Sequence, residues 1–89
     1  MKNVRPTGRY LKDLKLAQRR GYDFKKLEVV LDLLRAGKPL PPSNRDHALK
    51  GPWQSYRDCH IAPDWLLIYR ARGDVLELVR TGTHADLFG

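Results

Sequence analysis

Three histidines, an aspartate and an arginine in the second half of the chain are the residues whose types could do chemistry together. His47, His60 and His84 are spread along this half, and Asp64 and Arg80 lie between the last two histidines. An imidazole can accept or donate a proton near neutral pH because its unperturbed pKa lies in that range. A guanidinium stays charged, and its planar fork of donors matches the oxygens of a phosphate. Such a set could cut RNA without a metal by moving the proton of a ribose 2′-hydroxyl, holding charge on the phosphate and protonating the departing 5′-oxygen.

Each of these residues also has a structural explanation, which is the commoner one for a single residue. His47 would be a loop histidine, His60 a strand histidine bonded to a neighbour, and His84 part of a tail. Their combination favours a catalytic cluster. Two aromatic residues accompany them: Trp65 begins an apolar run and is expected in the core, whereas Phe88 has little core left to join and could stack on a base.

Three short strands are predicted to position the cluster. Apolar and polar residues alternate over 55–61, a strongly apolar run follows at 65–70, and a third run covers 75–81. Tight turns join these runs into an antiparallel meander that would bring together, at one rim, His60, Asp64, Arg80 and His84. The register of the first hairpin, at Pro63, stays open, and a slip of one residue would move His60 to the opposite face.

The first half of the chain predicts a short edge strand over residues 1–6 and then two helices. Thr7 can cap a helix over residues 8–20, and Gly21 is well placed to end it. On this helix one side carries apolar residues at spacings of three, namely Leu11, Leu14 and Ala17.

Asp23 can cap the second helix, in which apolar residues recur at helical spacing, and Gly37 with Pro39 closes it. The short connection between the helices predicts an antiparallel helical hairpin with its apolar stripe on the sheet. After an extended connector at 40–44 the strands follow, so the order predicts an α+β fold with helices on one face of a small antiparallel sheet. Residues 1–89 are expected to form a single domain because so short a chain has one modest core.

Positive charge is concentrated in the first half of the chain. The whole chain has 17 Lys and Arg against 10 Asp and Glu, a formal charge of +7. Residues 1–45 hold 12 of these cations and 4 of the acids, which leaves the second half near neutral. Lys12, Lys15 and Arg19 cluster on one side of the first helix, where they favour a salt-sensitive footprint for RNA over a merely solvated face.

Other features of the sequence exclude several classes of protein. The single Cys59 has no partner for an internal disulfide and is expected to be an inert packing residue. Cys and His do not occur in pairs at metal-ligand spacing, so no metal site and no cofactor are predicted. No apolar run approaches the roughly 20 residues of a membrane span, and no leader sequence is recognisable, so a cytoplasmic protein is expected.

Two motifs make the sequence recognisable. The first is His-x-x-Pro-Asp-Trp, which begins at His60, and the second is Arg-Thr-Gly-Thr-His, which begins at Arg80. With the run Asp46-His47-Ala48-Leu49 and the helical segment that begins at Tyr10, they resemble the YafQ family of bacterial toxins, within the RelE-like superfamily. The resemblance spans essentially the whole chain.

The resemblance implies a RelE-like fold and a ribosome-dependent endoribonuclease that cuts mRNA in the ribosomal A site. It also implies neutralisation by an antitoxin of the DinJ/RelB type. Carried over position by position, it makes His47, His60, Asp64 and His84 the acid–base group, Arg80 the phosphate ligand, and Trp65 and Phe88 residues near the RNA.

Within this set we expect His84 to be the general acid and His47 the general base. His60 and Asp64 are expected to form a hydrogen-bonded pair that orients the site or shares the proton load.

Two alternatives from other functional classes stay open. In the first the protein is not catalytic, and its basic half binds nucleic acid or an acidic partner while the histidines are bystanders. In the second the chain acts on gyrase, as the ParE-like toxins of the same superfamily do. Those toxins lack this set of histidines, and both alternatives rank below the nuclease.

Overall fold

Side-chain caps begin both long helices where the sequence predicts them. In the computed structural model, which describes all 89 residues, the Thr7 side chain accepts from the Tyr10 backbone at the start of α1 (Gly8–Arg19). The Asp23 side chain accepts from the Lys25 backbone at the start of α2 (Phe24–Arg35). Each cap satisfies a backbone N–H that the first turn of a helix leaves without a partner.

Five strands are present, one more than the sequence predicts. The strands are β1 (Asn3–Pro6), β2 (His47–Ala48), β3 (Arg57–Ala62), β4 (Trp65–Arg72) and β5 (Val75–Gly82), and their order in the sheet is β1-β5-β4-β3-β2. The antiparallel meander of β3, β4 and β5 is confirmed. β1 pairs in parallel with β5, so the sheet is mixed and not wholly antiparallel. β2 was not predicted, because two residues carry no periodicity of their own and pair with β3 only in the folded chain.

The apolar core lies between the helices and one face of the sheet, which we call the helix-side face. Its strand residues include Cys59, Leu67 and Leu76, each fully buried. The helices add Tyr10 and Ala17 from α1, and Leu27, Val30 and Leu34 from α2. Leu11 was expected on the buried side of α1 but is 48% exposed. The buried stripe instead starts at Tyr10, whose spacings of four to Leu14 and seven to Ala17 follow the helical repeat.

The register of the first hairpin decides the face on which His60 lies. His60 pairs with Leu66 and Ala62 pairs with Trp65, with an irregularity between His60 and Ala62. His60 therefore lies with Leu66 on the face away from α1 and α2, which we call the site face. Leu66, Ile68 and Leu87 form a separate, smaller apolar cluster there.

The end of the chain forms a third helix, α3 (His84–Phe88), and is not a tail. Thr83 and Asp86 make a capping box in which each side chain accepts from the other residue's backbone N–H. Asp86 is also held by Arg20, with Nη1 2.6 Å from one carboxylate oxygen and Nη2 3.2 Å from the other. Gly82 is required just before this helix, because a Cβ there would lie 2.9 Å from the Asp86 carboxylate. The carboxyl-terminal residues are thus anchored against the end of α1.

No helix in the structure combines the length and the apolar character that crossing a membrane would require.

Candidate active site

His84 and Asp64 form the central contact of the site. The Asp64 carboxylate accepts from His84 Nδ1 at 2.7 Å and from the His84 backbone N–H at 3.0 Å. These bonds lower the pKa of Asp64, the backbone bond contributing most, so this carboxyl is ionised. An ionised carboxylate can only accept, so Nδ1 carries the hydrogen and Nε2 is the atom left for chemistry. Both side chains are more than half exposed, which leaves them open to a substrate.

His60 lies directly beside this contact. The centroids of the His60 and His84 rings are 5.5 Å apart, with the planes at 63°. The backbone at His60 is held by Asn44, whose side-chain amide donates to the His60 carbonyl at 2.7 Å. A hydrogen-bonded pair of His60 and Asp64 was expected, and this pairing is wrong: the carboxylate binds His84, because the first turn of α3 presents both its backbone N–H and its ring to the Asp64 turn.

His47, the first residue of β2, is held by the backbone of Arg45. His47 Nδ1 is 2.7 Å from the Arg45 carbonyl, and a carbonyl only accepts, so Nδ1 again carries the hydrogen. Arg45 adopts a left-handed conformation with φ of 46°, unusual for a residue with a side chain. This conformation aims its carbonyl at the imidazole. The Nε2 atom of a neutral His47 is therefore free to accept a proton.

Asp58 is a site residue that the sequence did not reveal. It is 3% exposed, and one of its carboxylate oxygens has no hydrogen-bond partner. The other oxygen is 3.8 Å from His47 Nε2. Burial raises the pKa of Asp58, while the nearby histidines 47, 60 and 84 act in the opposite direction. Asp58 is thus a buried carboxylate beside His47.

Arg80 lies to one side of the histidines and is bound by Asp13 of α1. Arg80 Nε and Nη2 are 2.9 and 3.2 Å from the two oxygens of the Asp13 carboxylate. Across the sheet the register runs from His47 to Asp58, Ile68 and Arg80. Strands are spaced about 4.8 Å apart, so the backbones of His47 and Arg80 are roughly 14 Å from each other. The structure therefore brings together His60, Asp64 and His84, with His47 and Arg80 on opposite flanks.

The two aromatic candidates differ in exposure. Trp65 is 3% exposed and donates its indole N–H to Thr81 Oγ1 at 2.8 Å. Its ring packs on the helix-side face against Tyr22 and Phe24. Trp65 is therefore a core residue, as expected, and is too buried to contact RNA directly. Phe88 is 46% exposed and follows His84 by one turn of α3, where a base could stack on it.

Basic side chains without acidic partners lie on α1, and others line a cleft beside His60. Lys12, Lys15 and Arg19 are exposed on α1, and no acidic residue pairs with any of them. A cleft of about 460 Å³ opens beside His60, and Lys26 and Arg45 are among its lining residues. Both features suit a polyanion.

Cys59 is fully buried, and burial raises the pKa of its thiol, which agrees with the expected packing role. No group of three or more His, Cys, Asp or Glu side chains is arranged to hold a metal ion.

Comparisons with known proteins agree with the recognised motifs. A family model for the bacterial toxin of type II toxin–antitoxin systems, YafQ, matches residues 2–89. The mRNA interferase toxin YafQ of Escherichia coli K12 is 47% identical over 89 residues, covering 99% of this chain and 97% of that protein.

Solved structures share the fold. A chain of the E. coli DinJ–YafQ toxin–antitoxin complex is 47% identical, with a TM-score of 0.91, and the match covers 99% of this chain and 98% of that one. A copper-bound mutant toxin from Helicobacter pylori is 40% identical, with a TM-score of 0.95 and coverage of 99% and 100%. The predicted α+β arrangement of an amino-terminal strand, two helices and a sheet is confirmed.

Proposed function

The chain belongs to the YafQ family of toxins from bacterial type II toxin–antitoxin systems, and we propose that it is an endoribonuclease that cuts mRNA in the ribosomal A site. The observation that carries the proposal is the 2.7 Å contact between His84 and Asp64 with the His60 ring beside it. Imidazoles held by acceptors are what proton transfer at a ribose and a phosphate needs. The E. coli relative is named an mRNA interferase.

His84 is the general acid. The ribose 2′-oxygen attacks the adjacent phosphorus while the bond from phosphorus to the 5′-oxygen breaks, and His84 Nε2 gives a proton to that leaving oxygen. Asp64 holds His84 through Nδ1, which orients the ring and stabilises its protonated form before the transfer. The products are a 2′,3′-cyclic phosphate and a 5′-hydroxyl.

His47 is the general base that takes the 2′-hydroxyl proton. The Arg45 carbonyl keeps the hydrogen on Nδ1, so Nε2 has the lone pair that the reaction requires. Once Nε2 is protonated, the carboxylate of Asp58, 3.8 Å away, stabilises the imidazolium. His60, between His47 and the acid, orients the site and shares the proton load.

Arg80 stabilises the charge that builds on the non-bridging oxygens of the phosphate. Its side chain is 16% exposed, and its guanidinium retains donors that the Asp13 carboxylate does not use. One well-placed donor to a developing oxyanion commonly contributes about 2.7–4 kcal/mol to transition-state stabilisation.

The ribosome is the second partner in the proposal, and the unpaired cations of α1 supply its electrostatic contact. Lys12, Lys15 and Arg19 give affinity for ribosomal RNA without base specificity. Phe88 stacks on a base of the A-site mRNA and steadies the strand beside His84.

An antitoxin of the DinJ/RelB type is the proposed inhibitor. The related E. coli toxin is found in a complex with DinJ. A segment rich in Asp and Glu would complement the basic first half of this chain and could cover the rim at His84 as it becomes ordered. This inhibition is expected to weaken at high salt if charge drives it.

Primer extension on a translated mRNA tests the proposal. The expected result is a set of cuts within A-site codons that appears only when ribosomes are present, with a bell-shaped dependence of rate on pH. Ribosome binding without cuts would replace the nuclease with a non-catalytic binding module. Inhibition of gyrase without RNA cleavage would replace it with a ParE-like activity.

A metal arm of the same assay is needed because the Helicobacter pylori relative has been solved with copper bound. Toxin is treated with excess EDTA, and the chelator is removed before ribosomes, which need magnesium, are added; cleavage is then expected at an unchanged rate. Loss of activity after this treatment that added copper restores would remove the metal-free mechanism while leaving the nuclease activity standing.

A further inference from the structure

The sole acidic residue of α1, Asp13, is turned toward the site and not toward solvent. Apart from Tyr10, every other ionisable residue of α1 is a lysine or an arginine. The side chain of Asp13 is only 10% exposed, whereas that of the neighbouring Arg9 is 65% exposed. A carboxylate this buried requires partners, and it has two in β5: the guanidinium of Arg80 and the backbone N–H of Thr81.

The geometry of the ion pair leaves a defined set of donors on Arg80. A guanidinium has five N–H groups in one plane. Asp13 takes the side edge, with Nε 2.9 Å from Oδ2 and Nη2 3.2 Å from Oδ1. The outer edge, with one N–H on each Nη, donates to no protein acceptor, and neither Nη atom is buried without a partner. Such an edge has the geometry to bind two oxygens of a phosphate at once.

The pair also fixes the backbone that leads to the acid. Asp13 Oδ2 accepts from the Thr81 N–H at 3.1 Å, and Thr81 is three residues before His84. The Asp13 carboxylate therefore fixes the orientation of the Arg80 guanidinium. It also holds the end of β5, after which α3 begins with His84, the proposed general acid.

We propose that Asp13 is a positioning residue for RNA cleavage, which fixes the Arg80 guanidinium so that its outer N–H pair meets the non-bridging oxygens of the scissile phosphate. This inference rests on the proposed nuclease function. Asp13 touches no reacting atom, and it acts through Arg80.

A double-mutant cycle separates this role from a structural one. D13N keeps an oxygen that can accept from the Thr81 N–H but places an amide NH₂ against Arg80. Misorienting a group that contacts the transition state commonly slows a reaction about 10- to 100-fold, and D13N is expected to slow single-turnover cleavage of ribosome-bound mRNA within that range. On an Arg80→Ala background the same change is expected to have an effect of less than about 2-fold, because Asp13 then has no guanidinium to position.

Other outcomes of the cycle overturn the proposal. An equal loss on both backgrounds would make Asp13 a structural support of β5 only. Faster cleavage by D13N would make the ion pair inhibitory. Melting temperatures of all four proteins set an assay temperature at which each is folded, and Asp74→Asn, which removes an exposed carboxylate from a distant turn, is the matched control.

A stereochemical measurement tests the orientation itself. An mRNA with a single phosphorothioate at the scissile linkage is prepared as the Rp and the Sp isomer, and the ratio of their cleavage rates is measured. D13N is expected to change this ratio because a fixed guanidinium contacts each of the two non-bridging oxygens through a separate N–H, and these contacts are no longer distinct once the guanidinium can turn, whereas a loss of stability alone leaves the ratio unchanged.

An unchanged ratio in D13N overturns the proposal. If D13N does not fold, Asp13→Glu, which retains the charge but shifts the carboxylate by a methylene, takes its place in the same measurement. Absence of cleavage by the wild-type chain would instead refute the proposed function itself.

Discussion

The two faces of the sheet differ in the residues that they bury. The helix-side face buries 12 residues in one apolar cluster, and burial there raises the pKa of Tyr10 to about 12. The site face buries only three apolar residues in its cluster. Beside them it carries the carboxylate of Asp58 with an unpartnered oxygen, and His60 at the open edge.

This difference assigns separate tasks to the two faces. Small domains are stable by only about 5–15 kcal/mol, so the cost of burying a carboxylate without a hydrogen-bond partner is a substantial fraction of that free energy. The continuous core on the helix-side face supplies the stability that allows the site face to hold such a group. Substitutions on the helix-side face should therefore change stability, and substitutions on the site face should change activity.

The largest expected effect is that of His84→Gln on the site face. Glutamine can still donate to the Asp64 carboxylate but cannot transfer a proton to a leaving oxygen. Removing a general acid commonly costs about 10²- to 10⁴-fold in rate, and we expect a loss in that range in single-turnover cleavage of ribosome-bound mRNA.

The same variant is expected to retain its melting temperature and its affinity for ribosomes, measured by co-sedimentation. Cleavage at the wild-type rate would remove His84 from its assigned role. A large loss of stability would show that the site face also supports the fold, which would break the comparison.

Two neighbouring residues on β4 give the sharpest test of the faces against each other. Leu66 and Leu67 are both fully buried, but Leu67 belongs to the helix-side cluster and Leu66 to the small site-face cluster. Leu67→Ala is expected to lower the free energy of unfolding by about 2–5 kcal/mol, since the surrounding core cannot collapse into the cavity.

Leu66→Ala is expected to lower the unfolding free energy by less, because its few apolar neighbours can relax more freely. It should reduce cleavage more than Leu67→Ala does, because Leu66 is the strand partner of His60. Urea denaturation and cleavage rates measured on both variants check this, and equal effects on both quantities would mean that the faces are not distinct.

Charge on α1 is expected to act on binding alone. Reversing Lys12, Lys15 and Arg19 to Glu should weaken ribosome binding by about 10- to 100-fold at low salt and reduce the slope of affinity against salt, because phosphate contacts release counterions. The measurement is a salt titration of the dissociation constant, with cleavage at saturating toxin expected to be nearly unchanged.

The matched control reverses three other exposed cations: Lys25 on α2, Lys38 in the loop after α2, and Arg72 at the end of β4. This variant has the same net charge as the first. If both variants lose the same affinity, total charge and not the α1 surface is responsible, and those side chains are merely solvated.

The sequence predicts the parts of this molecule that depend on local signals. Thr7 and Asp23 each cap a helix through their own first turn, and the meander follows from alternating residues and short turns, so these elements were predicted nearly to the residue. The last helix was missed although Thr83 and Asp86 make a recognisable capping box. A helix of five residues has no apolar periodicity to accompany that signal.

The site was only partly predictable because its contacts join distant segments. The sequence named His60, Asp64 and His84, but which carboxylate binds which imidazole depended on the hairpin register, and the expected pair was wrong. Asp58 and Asp13 carry no motif. Asp13 lies 67 positions from Arg80, and no local pattern indicates that the two meet.

Asp58→Asn has the smallest expected effect, and it tests directly whether the site face gains activity at the expense of stability. The substitution removes a buried charge whose desolvation raises its pKa in the fold. We expect the free energy of unfolding at neutral pH to rise by about 1 kcal/mol, which for a domain of this size raises the melting temperature by roughly 4–8 °C. Cleavage is expected to fall about tenfold, since the imidazolium at His47 loses the carboxylate that lies 3.8 Å from its Nε2.

The pH dependence of the stability difference identifies its cause. A carboxyl whose pKa is raised in the fold destabilises the protein fully above that folded pKa, and the penalty disappears as pH falls toward the ordinary value of 3.8. The stability of the Asn variant should therefore exceed that of the wild type at neutral pH, and the two should converge in acid. Asp74→Asn, at an exposed turn, should show no such difference at either pH. A variant less stable than the wild type at pH 7 would mean that Asp58 is a structural partner of the histidines, and that the site face contributes to stability after all.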